Sequence, residues 1–389
     1  MPAVQVPVRV IFGKDVMRER LGEEASAFGA RRVLIVTDNT IVRQGFLEIA
    51  EDALKSAGIE MRVFDRVSPE PTLELAEDVA AFAREERCDV VVGLGGGSVL
   101  DMAKVAAAAT TNPDQRASDF LGANKIANPS AKKILVPTTA GTGAEATPFA
   151  LIVAAGKKKA IASPFNIADI AILDPTLTAT MPPRVTASTG MDALSHAIEA
   201  LMSKGANALT DAFAYEAIQK IAANIEEVFA HGENIDARLE MSIAAFLAGA
   251  AFGNAGVVIG HAIAHTIGTR YSQPHGISAA LTIPYVIAFN ISVPDVAAKM
   301  KRAAMEMGED VSSLSDEDAA KKAIAHVQQM IERLELPENL GSIGVSEDDI
   351  PEIADAVLAE KGYLARNPRE VNRENTIELI RNMLSGTPQ

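Results

Sequence analysis

Five of the six histidines in this 389-residue chain fall between positions 196 and 275. Asp192 and His196 stand i, i+4 in Gly190-Met191-Asp192-Ala193-Leu194-Ser195-His196, so a helix brings both to one face. His261 and His265 repeat that spacing, and His275 follows in the turn Gln273-Pro274-His275-Gly276. One carboxylate oxygen with several imidazole nitrogens is a donor set for a divalent transition metal such as iron, zinc, cobalt or manganese. A lone histidine on an apolar helix is ordinarily a satisfied core residue. Two i, i+4 pairs in largely apolar segments argue otherwise, because burying such groups without partners costs about 1–3 kcal/mol each. The cluster therefore reads as a metal site. His231 reads as a helix C-terminus, where imidazolium suits the dipole. His326, in the charged stretch 321–333, reads as solvated, and neither is assigned a role.

A second group of residues suits a phosphate. Val90-Val91-Val92-Gly93-Leu94-Gly95-Gly96-Gly97-Ser98 is an apolar strand running into glycines, with a helical stretch at 99–110. Glycines let the backbone approach a ligand, and the helix N-terminus adds partial positive charge. The run misses G-x-G-x-x-G, because Gly93-x-Gly95-x-x ends at Ser98, and no Lys-Ser/Thr follows to make a Walker A loop. Locally it also reads as a turn capped by Ser98 with Asp101 as a capping-box-like partner. Asp38 ends an earlier strand, where a carboxylate can bind a ribose diol and repel a 2′-phosphate. As a local alternative, Asp38 is a helix N-cap. In a Rossmann unit the acid follows the glycines by about 20 residues; here it precedes them by more than fifty. Pro137-Thr138-Thr139-Ala140-Gly141-Thr142-Gly143-Ala144-Glu145 is a third polar turn, able to line a cofactor or simply to connect.

The elements that must position these groups change character along the chain. Residues 32–37, 61–64, 88–94 and 133–136 read as strands, alternating with helical patterns that include 72–86 and 99–110. That alternation predicts a parallel sheet with helices on its faces. After Asp174-Pro175 and Met181-Pro182-Pro183, helical periodicity dominates, as at 187–202, 208–230, 236–252 and 319–334. The expected organisation is an α/β dinucleotide-binding domain at 1–180, then an all-helical metal-binding domain at 181–389. Clefts between such domains are common ligand sites. Residues 241–260 carry no charge over a bilayer-crossing length. Gly249, Gly253, Asn254, Gly256 and Gly260 make a poor continuous span, so the stretch reads as a buried helix or helix pair.

Composition narrows the class. The length suggests roughly two domains. Lys plus Arg (36) against Asp plus Glu (51) gives 36 − 51 = −15. Such a chain is poorly suited to grip nucleic acid or a membrane surface, and neither partner is expected. Cys88 stands alone, which excludes an intrachain disulfide framework. The first fifteen residues lack a basic segment followed by a long apolar one, so no signal peptide is read. A cytoplasmic location is expected.

Taken together these residues resemble the iron-containing (group III) alcohol dehydrogenase family. The resemblance runs over nearly the whole chain. It is carried by Gly95-Gly96-Gly97-Ser98 with Asp101 and Lys104, by PTTAGTGAE at 137–145, by GMDALSHAIE at 190–199, and by His261 to His265 with Pro274-His275-Gly276. It implies a dehydroquinate-synthase-like fold, a nucleotide-binding α/β domain and a helical metal domain. It implies that Asp192, His196, His261 and His275 hold the metal, with His265 nearby but not a ligand. For the cofactor it points to Asp38, Gly96, Gly97, Ser98, Thr138, Thr139, Thr142, Thr147, Phe149, Leu177 and Lys158, the last chosen among three adjacent lysines. Two departures stand out. Glu70 occupies a position where many members have Asn, and Tyr285 one where many have His. The complete ligand set argues against the maleylacetate reductase branch.

The expected reaction is reversible hydride transfer between a small primary or secondary alcohol or diol and a nicotinamide. Fe2+ is the expected metal, with Zn2+ the alternative, and Asp38 favours NAD over NADP. Three histidines and one aspartate leave a position open for the substrate oxygen. His265 is the candidate to relay the hydroxyl proton, or else is structural. A homo-oligomer is expected, acting on an alcohol or aldehyde. Two rivals are a metal-dependent, NAD-using lyase of the dehydroquinate synthase type, which would need a basic pocket such as 157–159, and a non-catalytic nucleotide or metal sensor.

Overall fold

The structure is a computed structural model describing residues 3–388. Contacts divide the chain into two compact units, 1–180 and 181–389. Strands of the first unit are β1 (Arg9–Phe12), β2 (Arg32–Val36), β3 (Glu60–Phe64), β4 (Val90–Gly95), β5 (Gly122–Ala123), β6 (Lys132–Pro137), β7 (Phe149–Ala154), β8 (Lys157–Ala162) and β9 (Ile170–Leu173). Its helices are α1 (Val16–Ala27), α2 (Asn39–Arg43), α3 (Phe46–Ser56), α4 (Leu73–Glu86) and α5 (Gly97–Thr111).

Six strands form one sheet in the order β1-β9-β6-β4-β2-β3, every neighbouring pair parallel. Alternate side chains feed two apolar layers. Leu34 and Val36 join Ala76, Val79, Leu100 and Ala103 of α4 and α5, while Val33 and Ile35 join Met17, Leu21, Ala50 and Leu54 of α1 and α3. Each such Val or Leu buried contributes about 1.5–3 kcal/mol, so a sheet covered on both faces follows from near-continuous apolar strands. The parallel sheet expected from the alternating pattern is present.

The chain order of Asp38 and the glycines finds its explanation here. From β2 the chain winds to β3, then reverses across β2 to β4 and continues to β6 and β9. The reversal lies between β2 and β4, and in open parallel sheets ligands bind outside the carboxyl ends of the strands at such a point. Val36 is in register with Gly93. Asp38 and Gly96, each a short step beyond its strand, therefore lie at neighbouring strand ends although 58 positions separate them (96 − 38).

Two local expectations are corrected. Helix α5 begins at Gly97 with Gly96 as its N-cap, two residues before the expected start. Ser98 lies inside the first turn and does not cap it. Its Oγ donates to the Pro69 carbonyl at 2.5 Å, and Asp101 instead accepts from the Leu151 N–H at 2.9 Å. Non-local partners outbid the capping box. The second is an antiparallel β7–β8 hairpin that the pattern did not reveal, joined with β5 in a three-stranded sheet. Its turn puts Ala155 and Gly156 at φ 53° and 71°, a primed hairpin turn. Alanine rarely takes that conformation, and Lys157-Lys158-Lys159 obscures strand alternation.

The second unit contains α6 (Pro183–Met202), α7 (Ala208–Ala230), α8 (Ile235–Ala255), α9 (Ile259–Arg270), α10 (His275–Asn290), α11 (Pro294–Glu306), α12 (Asp316–Arg333), α13 (Ile350–Ala359), α14 (Lys361–Leu364) and α15 (Arg373–Ser385). No strand occurs among its described residues. The uncharged stretch at 241–260 is a helix pair: α8 ends before Gly256, at φ 81°, and α9 departs at 110°. No single helix is long and apolar enough to cross a membrane. Tyr285 is buried in α10, its hydroxyl 3.5 Å from the Glu338 carbonyl.

Candidate metal centre

Helix α6 starts with Pro183 at its first position, where a missing N–H costs nothing. Nearly all of its side chains after Thr186 are buried, which places Asp192 and His196 on one face inside an apolar environment. Helix α9 brings His261, and α10 brings His275 as its first residue. A Cβ on Gly276 would overlap the Ser188 carbonyl oxygen of α6. Glycine is thus what lets α10 abut α6 beside the aspartate.

Asp192, His196, His261 and His275 each present one potential ligand atom, and these atoms all lie within 4.8 Å of one another. Asp192 Oδ1 is 3.6 Å from His275 Nε2 and 4.0 Å from His196 Nε2. The rings of His196 and His261 stack with centroids 4.8 Å apart, and Phe252 of α8 stacks on His196 at 4.0 Å. Three of the four residues are buried, whereas the His275 side chain is 28% exposed, which marks the accessible side.

Whether a cation fits is answered by the polar atoms. Asp192 Oδ1 and His261 Nε2 are buried without a hydrogen-bond partner among the described residues. His261 turns its Nδ1 to Glu199 Oε1 at 2.6 Å, which leaves Nε2 toward the cluster. Two such orphans would cost about 1–3 kcal/mol each, and a divalent cation would satisfy both. Burial disfavours a charged His261, but the carboxylates of Glu199 and Asp192 outweigh it and raise its pKa. A cation at Nε2 would displace that proton. The donor set fits the metal.

His265 lies beside the four, not among them. Its ring is 4.9 Å from that of His275 and 6.2 Å from that of His261, and its Nδ1 is 3.3 Å from the Tyr363 hydroxyl. His231 caps the end of α7, exposed, with Nδ1 3.2 Å from Glu227. His326 corrects the solvated reading: its side chain is 18% exposed and Nδ1 meets Glu309 at 2.8 Å. A carboxylate 17 positions earlier gave the charged stretch no local sign of that partner.

Glu199 and Tyr363 were missed as functional candidates. Glu199 did carry a signal, standing i+7 from Asp192 and i+3 from His196 as an acid in an apolar helix. Tyr363 carried none, being 98 positions from the histidine it meets.

In the first unit, the ends of β2, β4 and β6 gather several expected cofactor residues. Asp38 Oδ1 caps α2, accepting from the N–H groups of Thr40 at 2.6 Å and Ile41 at 3.1 Å. A Cβ on Gly97 would lie 2.9 Å from Thr142 Oγ1, and one on Gly96 3.8 Å from Thr139 Oγ1, so the glycine and threonine turns face each other. Thr138 is buried beside them, its N–H on the Gly95 carbonyl at 3.0 Å. Thr147 Oγ1 accepts from Lys104 Nζ at 3.2 Å, as does the Phe149 carbonyl. Leu177 packs in the core with Ile35, Leu94 and Val136. Lys158 is in the exposed first half of β8, 3.4 Å from Glu70, so these two positions pair with each other. Lys157 and Lys159 are exposed on the same hairpin, and no basic pocket forms from these three. Under the turns, burial pushes Glu145 up to about 7 and lowers the pKa of Lys104.

Family models agree with both halves. Residues 7–175 match the model described as iron-containing alcohol dehydrogenase, and residues 186–384 match the C-terminal model of the Fe-containing alcohol dehydrogenase family. The 1,3-propanediol dehydrogenase of Klebsiella pneumoniae is 38% identical over 382 residues, 97% of either chain. A crystal structure of 1,3-propanediol oxidoreductase superposes with TM-score 0.93 at 36% identity, over 99% of this chain and 100% of that one. Sulfoacetaldehyde reductase from Bifidobacterium kashiwanohense, solved in complex with NAD+, superposes with TM-score 0.89 at 28% identity over 99% of each.

Proposed function

The chain belongs to the iron-containing alcohol dehydrogenase family, an oxidoreductase acting on CH–OH groups, and we propose that it oxidises a small primary or secondary alcohol or diol with NAD, reversibly. The observation that carries this reading is the convergence of Asp192, His196, His261 and His275 with two orphaned ligand atoms among them. These four would hold Fe2+, with Zn2+ the alternative.

When bound, a divalent cation supplies a Lewis acid that favours an ionised alcohol or a polarised carbonyl, and NAD supplies the hydride acceptor. The chain's own residues do the rest. Gly96 and Gly97, at the start of α5, would receive the cofactor phosphates on backbone N–H groups. Asp38, whose Oδ1 holds α2, would take the ribose diol. Thr138, Thr139 and Thr142 border the same strand ends. His265 would take the hydroxyl proton and release it to solvent, its ring oriented by the Tyr363 hydroxyl 3.3 Å from Nδ1. Phe252 shields one face of His196 from water.

The relatives' names, a propanediol enzyme and an aldehyde reductase, support a small substrate. The lone buried Cys88 suits a reducing, cytoplasmic setting, and we assign a homo-oligomer with neither nucleic acid nor membrane as partner. The test is anaerobic purification, loading with Fe2+ or Zn2+, and an absorbance screen of short alcohols and diols with NAD and NADP. NADH should accumulate, stop on chelation and return with metal. Oxidation that survives chelation overturns the reading. Conversion of a phosphorylated acid without net NADH would point to the lyase, and NAD binding without turnover to a sensor.

A further inference from the structure

Glu199 is 2% exposed, yet four hydrogen-bond donors converge on its carboxylate. Oε1 accepts from His261 Nδ1 at 2.6 Å and from Ser195 Oγ at 3.1 Å. Oε2 accepts from the backbone N–H groups of Val258 at 2.7 Å and His261 at 3.3 Å. The N-terminus of α9 has no capping side chain of its own, since Val258 occupies that position. An acid from α6 caps it instead. A Cβ on Gly260 would lie 2.5 Å from Glu199 Oε1, so the glycine before His261 is what admits the carboxylate.

We propose that Glu199 is a positioning residue for the cation site: it fixes the tautomer and ring orientation of His261 and ties the helix bearing Asp192 and His196 to the helix bearing His261. The inference rests on the cation-site reading above. A carboxylate offers acceptors only, so the hydrogen of His261 sits on Nδ1 and Nε2, within 4.8 Å of the other ligand atoms, keeps its lone pair for a cation. Such outer partners also raise the basicity of the ligating ring. Glutamine in the same place keeps one acceptor oxygen but turns an NH2 toward either Nδ1 or the α9 N-terminus. Either the His261 Nδ1 and Ser195 pair or the two α9 N–H groups would then lose their acceptor.

The test uses the full chain loaded with Co2+, comparing parent, Glu199→Gln and Glu199→Asp. Cation retention against excess chelator, the visible Co2+ spectrum and thermal unfolding are read separately from activity. Glu199→Gln should bind Co2+ about 10–100-fold more weakly with an altered spectrum, and Glu199→Asp should recover part of both. On a His261→Ala background, Glu199→Gln should weaken binding by less than it does with His261 present. Should Glu199→Gln fail to fold, Ser195→Ala, which removes one of the four donors, should shift the spectrum in the same direction. A folded Glu199→Gln with parental retention and spectrum overturns the positioning role, as does an equal loss with and without His261. A parent chain that retains no Co2+ instead overturns the cation-site reading itself.

Discussion

Asp38 Oδ1 holds the first turn of α2, and under the proposed cofactor reading its charge would repel a 2′-phosphate. Asp38→Gly should lower the preference for NAD over NADP at least tenfold in kcat/KM, about 1.4 kcal/mol. A glycine cap costs only a few tenths of a kcal/mol against aspartate, so the fold should survive. An unchanged cofactor ratio would dismiss the assignment. Glu145 carries a different prediction. Burial lifts its carboxyl from 4.5 to about 7, only partly opposed by its own backbone N–H and by Lys104. Between those values the folded chain keeps a proton that the unfolded chain releases, so the group's contribution is complete below pH 4.5 and is lost as pH rises through about 7. Glu145→Gln cannot ionise. Its Tm relative to the parent should climb across that window, and parallel Tm curves would refute the burial argument.

Helix contacts decide how the four ligand atoms meet, and glycines report on them. A methyl at Gly276 would strike backbone, the Ser188 carbonyl, which cannot yield unless α10 moves and takes His275 with it. Gly276→Ala should cost about 1–3 kcal/mol and release the cation. Gly190 is equally buried in α6, but a methyl there meets Ile225 Cδ1 at 2.7 Å and Met241 Cε at 3.0 Å, the flexible ends of side chains. Gly190→Ala should therefore retain its metal and lose less stability. Metal analysis and calorimetry on the two variants settle the contrast, which reverses if α10 is free to slide.

For the whole molecule, a cation bound only by the folded chain stabilises it by mass action, about 2.7 kcal/mol at a hundredfold excess over Kd. Chelation should lower the Tm, and re-addition of Fe2+ or Zn2+ should restore it. His261→Ala should show little of that metal-dependent shift. Equal Tm values for loaded and stripped parent chains would show that the cluster does not hold the ion.

Residue type and local period were enough to read the parallel sheet, the helical second half and the donor types, because apolar periodicity and i, i+4 spacing are properties of a few consecutive residues. The stretch 241–260 was legible as a buried helix or helix pair, its glycines being visible in line, whereas the bend itself was not. Other features needed the folded chain. Asp38 and Gly96 become neighbours only when the sheet reverses direction between β2 and β4, and Ser98 abandons its cap for a carbonyl 29 positions away. Glu199 reaches a ring 62 positions on. Such pairings depend on which elements pack together, and packing is set by burial summed over whole helices and strands, which no single stretch of sequence displays.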